Sequence, residues 1–296
     1  MKIGSGLRGV IFISLLISLL FLPGCKPAAK VVAPQANKGV QFGVCTALAN
    51  SGKLMDFGYN YVEGSVQRDL MPGTPDLEFA NKKREFDTCR LPVIACNSFL
   101  PGTLKVTGPD ARPDSVLRYA EVAFRRAAAA RIRIIVFGSG GARRIPDGFD
   151  VQEARKQFVS LLKQLGPIAR KHGITIAIES LQRSETNLIN TFEDALLLAR
   201  EVNDENIKVL ADIFHLMREN EKPGVLERSK NYLVHCHIAE IKDQTAPGVV
   251  GDDFRPWFSA LKKIGYQGGI SIEGSWKIEN LQKAIVLMNE QWKSSQ

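Results

Sequence analysis

Leu165-Gly166-Pro167-Ile168-Ala169-Arg170-Lys171-His172-Gly173-Ile174-Thr175-Ile176-Ala177-Ile178-Glu179 holds the end of one pattern and the whole of another. Upstream, from Gln152 to His172, the apolar residues Phe158, Leu161, Leu162, Leu165 and Ile168 recur at helical spacing. Gly173 stands where such a helix should stop, because glycine adopts the left-handed turn that ends helices. Ile174 to Glu179 is then an apolar run without alternation, which suits a strand covered on both faces in a parallel sheet. It ends in a carboxylate.

Working outward, the same unit recurs. Strand-like runs are Val40–Cys45, Tyr59–Glu63, Pro92–Asn97, Ile132–Phe137, Ile174–Glu179, Lys208–Asp212, Tyr232–Ile238 and Gly269–Glu273. Helical patterns lie at Ser115–Ala130, Gln152–His172, Phe192–Val202 and Phe254–Ile264, with Gly265 and Gly268 as further stops. Eight alternations of strand and helix predict an α/β fold, a single (β/α)8 TIM barrel over residues 39–296. A doubly wound open sheet is the alternative, but no glycine-rich phosphate loop opens the first helix.

The N-terminus reads as a targeting segment. Lys2 and Arg8 precede an apolar run, Val10 to Leu22, that falls short of the ~20 residues of a membrane-spanning helix. Leu22-Pro23-Gly24-Cys25 resembles the cleavage box of a bacterial lipoprotein, with Cys25 as the lipidated residue. Residues 1–24 are thus expected to be a lipoprotein signal peptide and 25–38 a flexible tether. Removing Lys2 and Arg8 lowers the formal charge from +8 to +6. Lys82-Lys83-Arg84 is followed by Glu85 and Asp87, so a solvated helix face is expected there and no nucleic-acid partner. Cys45, Cys89, Cys96 and Cys236 lack the paired spacing of a zinc knuckle.

Barrel enzymes carry their chemistry at the C-terminal ends of strands. Here four consecutive strands end in Glu179, Asp212, His237 and Glu273. Carboxylates ending buried strands need pairing or a metal, and three at one mouth repel unless a cation lies between them. One divalent ion held by oxygen and nitrogen donors (Mn, Mg, Co or Zn) is expected. Of the four histidines, His172 adjoins a helix stop, whereas His235 and His237 share a face of one strand. His237 is the expected ligand, and His235 a core residue or a support.

Ile178-Glu179-Ser180, Asp212-Ile213-Phe214-His215, His237-Ile238-Ala239-Glu240, Asp253-Phe254-Arg255-Pro256, Gly265-Tyr266 and Ile272-Glu273-Gly274 occur in this order at these strand positions. In this the chain resembles the xylose isomerase-like barrel superfamily of sugar isomerases, ketose 3-epimerases and endonuclease IV. The resemblance implies metal binding by Glu179, Asp212, His237 and Glu273, and substrate contacts from Glu185 and His215. It also implies an Arg six residues after the histidine ligand, where Asp243 stands instead; Arg255 or Lys242 is the candidate replacement. Strands two and three lack the histidines that a three-metal nuclease requires.

The expected activity is isomerisation or epimerisation of a keto-sugar through a metal-stabilised enediolate, with Glu179 and Glu273 removing and returning the proton. A lyase or hydratase acting on a keto-glycoside, and a non-catalytic sugar-binding lipoprotein, stay open. Asn97 and the loop Gly138–Arg144, with Arg143 and Arg144, are candidates for gripping substrate; Phe99, Phe137 and Trp276 for packing on a sugar face. Glu63 is ambiguous. A neutral sugar and, through Cys25, a membrane facing the periplasm are the expected partners. Oligomeric state, a homo-oligomer included, is open.

Overall fold

Short apolar runs flanked by turn residues become eight strands: β1 Gln41–Cys45, β2 Tyr61–Ser65, β3 Val93–Asn97, β4 Ile134–Phe137, β5 Thr175–Glu179, β6 Ile207–Asp212, β7 Leu233–Ile238 and β8 Gly269–Ile272. The computed structural model describes, apart from Met1, residues 39–296. The expected signal peptide, Cys25 and tether therefore lie outside the described residues. The strands pair in parallel, in chain order, and β1 closes on β8. The fold is a single (β/α)8 TIM barrel, not an open doubly wound sheet.

The helices obey their end signals. Val151–His172 begins where Asp150 accepts from the Glu153 amide and ends at Gly173, whose φ is 66°. Phe192–Val202 opens with a reciprocal Thr191–Asp194 capping box. Lys82 and Lys83 lie on the helix Asp76–Thr88, where they pair with Glu85 and Asp87.

Period-two alternation gives the barrel two surfaces. Outward residues such as Val44, Ile135, Phe137, Ile176, Ile178 and Ile272 join helix residues such as Phe124 and Phe158 in one core. Phe99 and Phe137 belong to this core, with ring centroids 5.1 Å apart, so neither is placed to stack on a sugar. Trp276 is half-buried and also packs on the core. The inward surface has two walls. One is apolar, with Val136, Ala177 and Leu210 in a separate cluster. The other is polar: Tyr61 Oη lies 2.8 Å from Ser271 Oγ, and Ser271 Oγ donates to Glu63 Oε2 at 2.6 Å. Gly43 admits the Tyr61 ring, since a Cβ there would stand 2.2 Å from it.

Candidate metal centre

Each strand end lies one inward position above these walls. Glu179 stands two residues past Ala177, Asp212 past Leu210, His237 past His235 and Glu273 past Ser271. A ligand atom from each of Glu179, Asp212, His237 and Glu273 lies within 4.8 Å of the others. His237 Nδ1 is 3.2 Å from Glu179 Oε1 and 2.6 Å from Glu273 Oε2. Asp212 Oδ1 accepts from the Phe214 amide at 2.9 Å, capping the short helix Ile213–Arg218.

The electrostatics call for positive charge at this point. Burial, aided by the Glu273 and Asp212 carboxylates, pushes Glu179 up to about 7. Burial likewise raises Asp212, despite His215 and His237. Burial lowers His237, but Glu273 and Glu63 outweigh it and hold the imidazole well above its ordinary value. Glu273 is lowered, because His237 overcomes the effect of burial. The residues fit a divalent cation on two further observations. Asp212 Oδ2 is buried and has no hydrogen-bond partner among the described residues. Gly138 leaves the space that Glu179 Oε2 occupies, since a Cβ there would sit 2.2 Å from that oxygen.

Above the cluster opens a cleft of about 460 Å³, whose lining includes Asn97, Ser139, Glu179, Glu185, His215, Gln244 and Glu273. Asn97 Nδ2 donates to Glu273 Oε1 at 2.5 Å. His215 Nδ1 lies 3.9 Å from Glu185 Oε1, which accepts from Gln182 Nε2. Asn97, Glu185 and His215 thus share the cleft with the ligand set.

Other expected residues sit elsewhere. Arg255 is exposed and held by Asp253 at 2.8 Å, and it is not part of the cleft lining. Its own helix start, with the Asp253 carboxylate two residues before it, offers a nearer partner than the cleft. Lys242 and Asp243 are exposed. Arg143 is fully buried and donates to the Glu179 carbonyl at 2.7 Å, tying the loop after β4 to the end of β5. Arg144 points to the Glu185 carbonyl at 2.7 Å. Among the described residues no Lys or Arg lines the cleft.

Glu63 is the residue that sequence reasoning underweighted. Burial acts to raise it, but His237 and His235 hold it well below the usual carboxylate range. Its signal was the same as that of Glu179: a carboxylate at the end of an apolar run.

A closed parallel barrel with oxygen and nitrogen donors converging at its C-terminal mouth defines the class. The family described as xylose isomerase-like TIM barrel matches residues 53–291, and the chain belongs to it. The D-psicose 3-epimerase of Ruminiclostridium cellulolyticum is 30% identical over 122 residues, 40% of this chain and 40% of that enzyme. The 3-dehydro-D-guloside 4-epimerase of Escherichia coli is 28% identical over 131 residues, 44% of this chain and 50% of that enzyme. The alignments thus span half or less of these relatives. Among solved structures, the 3-keto-D-glucoside 4-epimerase of E. coli superposes with a TM-score of 0.72 at 21% identity, over 85% of this chain and 99% of that one.

Proposed function

We propose that the protein is a divalent-metal-dependent epimerase or isomerase of an uncharged keto-sugar. The observation that carries this reading is the convergence of Glu179, Asp212, His237 and Glu273 within 4.8 Å at the floor of a cleft whose described lining has no Lys or Arg. Sugar phosphates are gripped by cationic side chains or by backbone nests at helix starts. The described lining has no cationic side chain; beside Ser139–Gly141 at the start of the four-residue helix Gly140–Arg143 it offers amides, hydroxyls, carboxylates and one imidazole, which suit hydroxyl groups. The aligned relatives are named as 3- and 4-epimerases of keto-sugars, and both names place the inverted carbon beside a carbonyl.

Glu179, Asp212, His237 and Glu273 would hold the cation, whose Lewis acidity makes the carbon next to a carbonyl acidic. Glu179 and Glu273 come from different strands, so in this reading they stand on either side of that carbon. One takes its proton and the other returns one to the opposite face. Asn97 fixes Glu273 by donating to Oε1, leaving Oε2 toward His237. His215 and Glu185 bind substrate hydroxyls.

The test is NMR of ketoses and 3-keto-glycosides in D2O with Mg-loaded protein and a chelated control. Metal-dependent deuterium uptake beside the carbonyl, with an inverted product, is expected. Exchange that ends in elimination would make the protein a lyase, and no exchange across the panel would favour a binding role. The reading of residues 1–38 as lipoprotein signal and tether belongs to the same proposal. Cys25→Ala should move the protein from the membrane fraction to the soluble fraction.

A further inference from the structure

An imidazole can offer its lone pair from either nitrogen, and which one is free depends on where its proton is held. His237 has carboxylates on both sides. Nδ1 faces Glu179 and Glu273, whereas Nε2 lies 3.0 Å from Glu63 Oε1 on β2. Resting on the metal-centre reading above, we propose that Glu63 is a positioning residue for His237. It accepts the Nε2 proton and so presents the Nδ1 lone pair to the cation.

The surroundings of Glu63 support a fixed acceptor. Its side chain is completely buried, so it must be satisfied internally. Oε2 accepts from His235 Nε2 at 2.7 Å and from Ser271 Oγ at 2.6 Å. Since Ser271 spends its hydrogen on Glu63, its oxygen is left to accept from Tyr61 Oη at 2.8 Å. Every proton in this network then has one direction, and all of them hold Glu63 as an acceptor. Strand alternation turns Glu63 inward two residues after Tyr61, while the register shift in the β2–β3 pairing leaves its extra residue, Ile94, on β3. A carboxylate behind a metal-bound imidazole also increases the basicity of the ligating nitrogen.

Cys45 Sγ lies 3.9 Å from the same Nε2, and Cys45, Glu63 and His237 form a second donor group within 4.8 Å. A second cation there would need Nε2 without its proton and would take from Glu63 Oε1 the donor that it now has. The hydrogen bonds therefore favour the positioning role.

The full-length protein, purified in detergent, should bind one Co ion per chain in a titration against a chelator. With Zn bound, histidine 15N NMR should show His237 metal-bound at Nδ1 and protonated at Nε2. Glu63→Gln puts an amide donor against one of the donating partners, and should weaken Co binding roughly 10- to 100-fold. Asp212→Asn, which tests the metal centre itself, should weaken it at least as much. Undiminished affinity in Glu63→Gln beside loss in Asp212→Asn would overturn the role of Glu63 and leave the metal centre standing. Zn on Nε2 in the wild-type protein would overturn it whether or not the variant folds. Two Co ions per chain, falling to one in Cys45→Ser, would make Glu63 a ligand instead. No binding of Co or Zn by the wild type would remove the metal centre and this inference with it.

Discussion

Beneath Glu179 and Asp212 the barrel interior is lined by Val136, Ala177 and Leu210; beneath His237 and Glu273 it is lined by Tyr61, His235, Ser271 and Glu63. The two walls treat charge oppositely. Above the apolar wall burial prevails, and the carboxylates of Glu179 and Asp212 are pushed up. Above the polar wall hydrogen bonds and opposite charges prevail, and Glu273 is lowered while His237 is raised. One wall leaves buried carboxylates that a cation would satisfy, and the other fixes the geometry in which it would be received.

The comparison can be broken by experiment. The largest effect belongs to the proton carriers: Glu179→Gln and Glu273→Gln should each lower kcat by about 10²- to 10⁴-fold in the D2O assay. Equal activity in both variants and wild type would remove them from the mechanism. Metal binding should next separate the walls by pH. Glu179 must lose its proton to ligate, so apparent metal affinity should fall as pH drops below about 7; His237, held above its ordinary value, must lose one too, so affinity should go on rising above pH 7. Glu273, held low, should add nothing in that range. A flat affinity from pH 5 to 8 would contradict the apolar-wall account.

Two glycines sharpen the contrast. In Gly138→Ala the new Cβ would stand 2.2 Å from Glu179 Oε2, so kcat should drop roughly tenfold or more while Tm barely changes. In Gly43→Ala the Cβ would stand 2.2 Å from the Tyr61 ring, and the protein should lose about 1–3 kcal/mol of stability by overpacking. Chemical denaturation of both variants, with activity per folded molecule, would show whether the effects divide this way. The smallest effect is expected from Arg255→Ala: with its guanidinium on Asp253 and outside the cleft, neither KM nor Tm should change measurably.

Much of this was legible along the chain. Helical spacing up to His172, the stop at Gly173 and the apolar run to Glu179 were enough to predict a helix and a buried parallel strand. Eight such units left few architectures besides a closed barrel. Because alternate residues of a strand share a face, Ala177 and Glu179, or His235 and His237, could be assigned together. The expected strands agree with the observed ones to within two residues at each end, the differences falling at starts such as Tyr59 and Ile132 and at the ends of strands two and eight.

What the chain could not show was which partners meet across the barrel. Glu63 reaches His237 over 174 residues of sequence, and Asn97 reaches Glu273 over 176. Periodicity gives the face on which a side chain lies, not its distance from a side chain on another strand. Arg143, Arg144 and Arg255 looked equally able to enter the cleft, since nothing local distinguishes a guanidinium that binds a backbone carbonyl from one that awaits a ligand. Phe99 and Phe137 looked equally able to meet a sugar or the core. The sequence determined the strands, their order and the four donors at their ends. Closure of the sheet decided which groups those donors face, because only closure brings the first strands against the last.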